Sequence, residues 1–202
     1  EHVLAQRWRI WCRGLAPQKQ RTTSDVLVDV LHYSGRITKF TLRLAQKGLE
    51  LARQDRSVNR PGLIPYINML AVLHKDCGQY ALAEPLYLEA LQLSLKLKPK
   101  PKYRESLATR LNNLAVFYRH TGRLHEAEEL YRKSLDISTQ ESGQNSESVG
   151  ISLSNLVPVL RLTGRLSEAL HSADRAISIL RRIHGNDDPG RLRMEMARSA
   201  LC

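Results

Sequence analysis

A 27-residue pattern occurs three times in this chain, and it limits the possible folds more than any other feature of the sequence. The clearest copy is LNNLAVFYRHTGRLHEAEELYRKSLDI at residues 111–137. Looser copies occupy residues 67–93 and 153–179, so successive copies begin 44 and 42 residues apart. A fixed period of this length is typical of repeat arrays, in which each unit buries its apolar face by stacking on its neighbours.

Each copy contains two amphipathic stretches that are separated by a glycine. In the central copy, the first stretch places apolar residues at i, i+3, i+4 and i+7, the spacing of one helix face. These residues are Leu111, Leu114, Ala115 and Tyr118. Apolar spacing resumes at Ala127, beyond Gly122. We expect Gly122, like Gly78 and Gly164, to end the first helix with a positive φ. Each copy therefore predicts a helical hairpin.

The residues at the expected helix contacts resemble those of the tetratricopeptide repeat. Small side chains let helices approach closely, and an aromatic side chain fills the gap between hairpins. In the central copy these are Ala115, Ala127, Tyr131 and Ser134. The usual period is about 34 residues, and the longer period here, with LNNLA and AEPLY, resembles the repeats of kinesin light chains and nephrocystin-like proteins. The resemblance implies an all-α, right-handed superhelical solenoid of helical hairpins.

The pattern also predicts how the chain is divided. Residues 1–24 are expected to form a basic amphipathic helix or arm, and residues 25–202 a solenoid of about four and a half hairpins. The expected hairpins are 25–54, 63–98, 103–141, 147–183 and a partial one at 190–202. Because the first residue is Glu1 rather than methionine, we expect a processed chain or a fragment of a longer one.

A polar row follows the first helix of each hairpin, about a quarter turn from the apolar face. Tetratricopeptide arrays bind partners in the groove that their first helices line, so the resemblance implies that this row faces a groove. Its amides are Asn68, Asn112, Asn113 and Asn155, and its cations are Lys75, Arg119 and Arg161. An amide both donates and accepts hydrogen bonds and therefore suits a peptide backbone of any sequence. Cations add charge-assisted bonds to carboxylates. The alternative is an ordinary solvated helix face.

The amino-terminal segment suggests a second contact surface. It places Leu4, Trp8, Trp11 and Leu15 at helical spacing, with Arg7, Arg9 and Arg13 between them. One interpretation is a capping helix whose tryptophans cover the open end of the solenoid. The other is a docking arm, formed by Arg7, Trp8, Arg9, Trp11 and Arg13, that inserts into a larger assembly.

Charge and composition restrict the functional classes. A net charge of +11 favours an anionic partner, either acidic protein or nucleic acid. We expect an intracellular location, and the basic composition favours the mitochondrial matrix over the cytoplasm. The three cysteines form no CxxC pair, and the HEAEE stretch at His125 lacks the second histidine of a zinc hydrolase motif. We therefore expect no catalytic residue, metal or cofactor. No segment is apolar for long enough to span a membrane.

These observations predict a non-enzymatic scaffold or adaptor. It would bind an extended acidic segment of a protein partner in the groove, and its basic ends would dock into a multi-subunit complex. The alternative is a structural subunit of a ribonucleoprotein, such as a mitochondrial ribosome, that contacts RNA phosphates through those ends.

Overall fold

The computed structural model describes residues 28, 39–55, 58–97, 101–185, 194–196 and 198–199. Regular structure within these ranges is α-helical. The helices are α1 (Lys39–Gln54), α2 (Arg60–Asp76), α3 (Tyr80–Leu95), α4 (Pro101–His120), α5 (Leu124–Ser142), α6 (Glu147–Leu162) and α7 (Leu166–His184). The predicted arm over residues 1–24, including Arg7, Trp8, Arg9, Trp11 and Arg13, lies outside the described residues.

The chain divides into two compact units, Glu1–Lys96 and Leu97–Cys202. In the first unit, α1 packs on α2, and α2 forms a hairpin with α3. In the second unit, α4 pairs with α5, α6 pairs with α7, and α5 packs on α6. The prediction of an all-α fold built from helical hairpins is therefore confirmed.

Three glycines reverse the chain between the paired helices. Gly78, Gly122 and Gly164 have φ values of +71°, +79° and +75°, which confirms the predicted left-handed conformation. The residue after each glycine donates its amide N–H to a carbonyl oxygen in the preceding helix. For example, Arg123 donates to Tyr118 across 2.9 Å. These bonds satisfy carbonyl groups that the helix end would otherwise leave unpaired.

The core of the second unit follows the predicted pattern. Leu111, Leu114, Ala115 and Tyr118 are all buried on α4. On α5, the predicted contact residues Ala127, Tyr131 and Ser134 are no more than 1% exposed. The Ser134 hydroxyl donates to the Ala108 carbonyl oxygen across 2.8 Å, which explains how a polar residue is accommodated at this contact. Burial of each large apolar side chain contributes roughly 1.5–3 kcal/mol.

The first unit has a similar small-residue core. Ala83, Tyr87 and Ala90 of α3 are buried, as expected from the repeat pattern. Thr41 and Gly48 of α1, in a more divergent copy, are buried as well. None of the described helices is long and apolar enough to cross a membrane.

Candidate functional site

Two of the predicted groove amides meet in the second unit. The Asn155 side-chain Nδ2 on α6 donates a hydrogen bond to the Asn112 Oδ1 on α4, across 3.2 Å. Both residues are half-buried. Because each amide has both donor and acceptor groups, this bond leaves the Asn112 NH₂ group and the Asn155 oxygen as further bonding groups. Two members of the predicted row therefore form a hydrogen-bonded pair that joins successive hairpins.

The helices that hold this pair lack acidic residues around it. No aspartate or glutamate occurs in residues 106–120 of α4 or in residues 148–162 of α6. The same stretches contain Arg110, Arg119 and Arg161. The charged residues of these two stretches are thus all positive, which favours an anionic ligand.

Arg119 is only partly available to such a ligand. Its Nε is buried without a hydrogen-bond partner, and its Nη2 lies 3.4 Å from the Nε2 of His120. Burial raises the pKa of Tyr131 to about 12, and the nearby Arg119 guanidinium partly opposes this shift. No hydrogen bond reaches the Tyr131 hydroxyl. Arg119 therefore packs towards the second helix of its own hairpin.

Arg161 occupies the equivalent position in the next hairpin but has a different environment. Arg161 is exposed, and none of the described residues forms an ion pair with it. The position of Tyr131 is taken in this hairpin by Ala173, which is fully buried. An exposed arginine without a carboxylate neighbour is the more accessible cation of the two.

The remaining predicted groove residues have other surroundings. Lys75, in the first unit, forms an ion pair with the adjacent Asp76, and its side chain is only 14% exposed. Asn68 on α2 and Asn113 on α4 are half-buried. The charge of Lys75 is therefore already compensated within its own unit.

A cluster of ion pairs between α5 and α7 was not predicted from the sequence. Arg132 contacts Glu128 at 2.9 Å and Glu168 at 2.5 Å, and Arg165 pairs with the same two carboxylates. Burial alone would raise the pKa of Glu128, but hydrogen bonds from Arg132 and Arg165 outweigh it and place this pKa below its ordinary value. The hydrogen bond from Arg132 is the main cause of the lowered pKa of Glu168.

One sequence signal could have indicated this cluster. An arginine precedes a glutamate by three residues at the start of both second helices, as Arg123 with Glu126 and as Arg165 with Glu168. This recurrence places an arginine and a glutamate at the start of α5 and again at the start of α7. Arg123, Arg132 and Arg165 are consequently paired with carboxylates within the protein, whereas no ion pair joins Arg161 of α6 to the described residues. Among the described residues, no group of three potential ligands is arranged to hold a metal ion.

Comparison with known proteins identifies the repeats. The tetratricopeptide repeat family matches residues 105–182 and, separately, residues 66–97, which together cover more than half of the chain. The chain belongs to the tetratricopeptide repeat family. Its long repeats are of the kinesin light chain kind.

Several solved structures are similar to most of this chain. BtubC (BKLC) from P. vanneervenii is 22% identical, with a TM-score of 0.76, and the match covers 98% of this chain and 78% of that one. A Podospora anserina protein with nearly identical kinesin light chain TPR-like repeats is 20% identical, with a TM-score of 0.69 and coverages of 92% and 86%. The aspartyl phosphate phosphatase F from Bacillus subtilis is 12% identical, with a TM-score of 0.77 and coverages of 93% and 46%.

At these identities the similarity concerns the fold. No curated protein matches the chain in the sequence comparison. Tetratricopeptide folds are typically non-enzymatic scaffolds for protein interaction, in which stacked hairpins present a surface to a partner.

Proposed function

We propose that this chain is a non-enzymatic interaction scaffold that binds an extended acidic segment of a partner protein. The observation that carries this proposal is the hydrogen-bonded pair of Asn112 and Asn155. The pair joins two hairpins at a surface whose helices contain no acidic residue for fifteen positions each. Such a surface combines backbone recognition with a preference for negative charge.

The amide pair would recognise the peptide backbone. The Asn112 NH₂ group donates to a ligand carbonyl oxygen, and the Asn155 oxygen accepts from a ligand N–H. Because these bonds involve main-chain groups, they are independent of the ligand sequence. Asn113 extends the same row, and Asn68 supplies an equivalent amide in the first unit.

The cations would select for acidic side chains. Arg161 is the main contact, because it is exposed and has no carboxylate neighbour among the described residues. A charge-assisted bond from its guanidinium to a ligand carboxylate is roughly twice as strong as a neutral one. Arg119 contributes mainly to the local potential, since part of its guanidinium is buried. Lys75 contributes least, because Asp76 neutralises it.

The chain is expected to dock into a larger complex through Arg7, Trp8, Arg9, Trp11 and Arg13, but these residues lie outside the described ranges, so this stays a prediction. A mitochondrial location also stays a prediction. The ribonucleoprotein alternative depends on the basic ends of the chain. Within the second unit, the cations Arg132 and Arg165 of the outer ion-pair cluster are already paired with carboxylates. The described residues therefore favour an acidic peptide over RNA.

Selection from a random peptide library, followed by fluorescence anisotropy on the selected peptides, tests the proposal. We expect selected sequences rich in aspartate and glutamate. The double variant Asn112→Ala/Asn155→Ala and the single variant Arg161→Gln should each weaken binding at least about tenfold. Lys133→Gln, an exposed change on α5, is the matched control and should leave affinity unchanged.

Two results would overturn the proposal. One is a selected pool without acidic enrichment. The other is unchanged peptide affinity in both groove variants, measured while their circular dichroism melting curves match that of the wild type. Titration with mixed RNA over a salt series provides the comparison. Tight, steeply salt-dependent RNA binding that is insensitive to the groove variants would support the ribonucleoprotein alternative instead.

A further inference from the structure

The cleft between α5 and α7 has two ends of different character. These are the second helices of the two hairpins, and the cleft is separate from the surface that holds Asn112 and Asn155. At the end near Arg165, the cluster of Glu128, Arg132, Arg165 and Glu168 bridges the two helices. Opposite charges therefore pair directly at that end.

The other end of the cleft is an open cavity of about 350 Å³. Its lining residues are Leu135, Asp136, Thr139, Gln140, Gln144 and Arg175. Cavities of roughly 300–1,000 Å³ are the usual size of small-molecule sites. The volume is at the lower end of this range, which suits a ligand of a few heavy atoms rather than a folded partner.

The two charged groups of this cavity do not neutralise each other. Asp136 is exposed, and no ion pair joins it to Arg175 or to any other described residue. Arg175 as a residue is half-buried, and its exposed Nη2 donates to the Gln144 carbonyl oxygen across 3.3 Å. A carboxylate and a guanidinium thus line one cavity without contact between them, whereas equivalent groups a few turns away are paired.

The neutral lining adds directional groups and one apolar wall. The Gln140 side-chain oxygen accepts a hydrogen bond from Arg104 across 3.1 Å, which leaves its NH₂ group to donate. The Thr139 hydroxyl already donates to the Leu135 carbonyl oxygen across 2.8 Å, so only its acceptor capacity remains. The half-buried Leu135 side chain supplies apolar surface.

We propose that this cavity binds a free α-amino acid. The ammonium group of the ligand pairs with Asp136, its carboxylate pairs with Arg175, and its side chain packs against Leu135. A zwitterion compensates both charges at once, which a ligand with a single charge does not. The lining comes from α5, from the loop after it and from α7, and it contains no residue of the proposed peptide-binding row.

Nuclear magnetic resonance titration of the full chain tests the proposal with defined probes. L-leucine and L-glutamine are the probes, because the cavity offers both an apolar wall and amide groups. N-acetyl-L-leucine lacks the ammonium group, and L-leucinamide lacks the carboxylate. We expect at least one free amino acid to bind with a millimolar or lower dissociation constant, and its charge-deleted derivatives to bind at least about tenfold more weakly.

Substitutions assign the binding to this cavity. Asp136→Asn and Arg175→Gln should each weaken binding of the free amino acid at least about tenfold. Glu129→Gln, an exposed change on the same helix, should not alter it. The proposal is wrong if neither amino acid binds at millimolar concentration or if the derivatives bind equally well. Binding that persists in both cavity variants contradicts it too. Thermal melting of each variant shows whether the fold is intact, and Asp136, being exposed, is the safer substitution.

Discussion

The two hairpins of the second unit place an arginine at the same position of the repeat, but the two arginines have different surroundings. In α4–α5, Arg119 packs towards the buried Tyr131, and its Nε is enclosed by protein. In α6–α7, Ala173 replaces the tyrosine, and Arg161 is exposed. A repeated residue therefore has a role that depends on what the opposite helix supplies.

The two hairpins differ in the residue at the helix contact and therefore in the environment of the arginine. The first hairpin uses its large aromatic side chain to fill the space beside α4, and its arginine stem becomes part of that packing. The second hairpin has a small residue at the contact, and its arginine extends into solvent. The first hairpin therefore has a buried aromatic ring at Tyr131, and the second has an exposed cation at Arg161.

The largest effect is expected from removing the aromatic ring of the first hairpin. Tyr131→Ala should lower the free energy of unfolding by roughly 3–5 kcal/mol, because it empties a fully buried site. At the equivalent position, Ala173→Gly should cost only about 1 kcal/mol, the usual helix-propensity difference. Urea denaturation monitored by circular dichroism measures both values.

Tyr131→Phe is the control for this prediction. It keeps the ring and removes a buried hydroxyl that has no hydrogen-bond partner, so it should leave stability unchanged or raise it. If Tyr131→Ala costs no more than Ala173→Gly, the two hairpins do not differ in packing as described.

An intermediate effect is expected from replacing the two arginines by an apolar side chain of similar length. Arg119→Met should raise the free energy of unfolding by roughly 1 kcal/mol, because it removes a buried and unpaired Nε but keeps the packed stem. Arg161→Met should change it by less than about 0.5 kcal/mol, because that side chain is exposed. Equal effects of the two substitutions in urea denaturation would show that both arginines share one environment.

The smallest effect concerns the ion pairs that join the two hairpins. The pKa values of Glu128 and Glu168 are lowered in the folded protein, so their contribution to stability is present above the ordinary value of 4.5. This contribution should be lost as the pH falls below 4.5 and the two carboxylates become protonated in the folded state. The side chains are partly solvated, so the effect should be modest.

Unfolding measured over a pH series tests this prediction. The double variant Glu128→Gln/Glu168→Gln should be less stable than the wild type at neutral pH, and the difference should disappear in acid. A difference that stays constant across the series would mean that the two glutamates act through packing rather than charge.

Much of the fold was predictable because the repeat fixes local geometry. The apolar spacing around Leu111 and Tyr118 identified the buried face of α4, and the position of Gly122 identified the reversal of the chain. These features depend on interactions within a few residues, which the sequence displays directly. The row of amides was predicted from the same periodicity, but the 42-residue period aligns Asn155 with Asn113, whereas the structure joins Asn155 to Asn112.

The charges were less predictable, because their partners are distant in sequence. Arg132 and Glu168 are 36 residues apart, and the cavity beside Asp136 also needs Arg175 from another helix. Periodicity shows which face of its own helix each residue occupies, but it does not show which side chains of different helices meet. The environments of Arg119 and Arg161 differ for this reason, although their sequence positions are equivalent.

The sequence alone determined an all-α chain of helical hairpins with glycine reversals, because helix spacing and backbone conformation are local properties. The tertiary structure decided which polar residues are paired, buried or accessible. It joined Asn112 to Asn155, neutralised Lys75 and left Arg161 exposed. Hydrogen bonding and burial depend on the groups that neighbouring helices bring within a few ångströms, and only packing settles that arrangement.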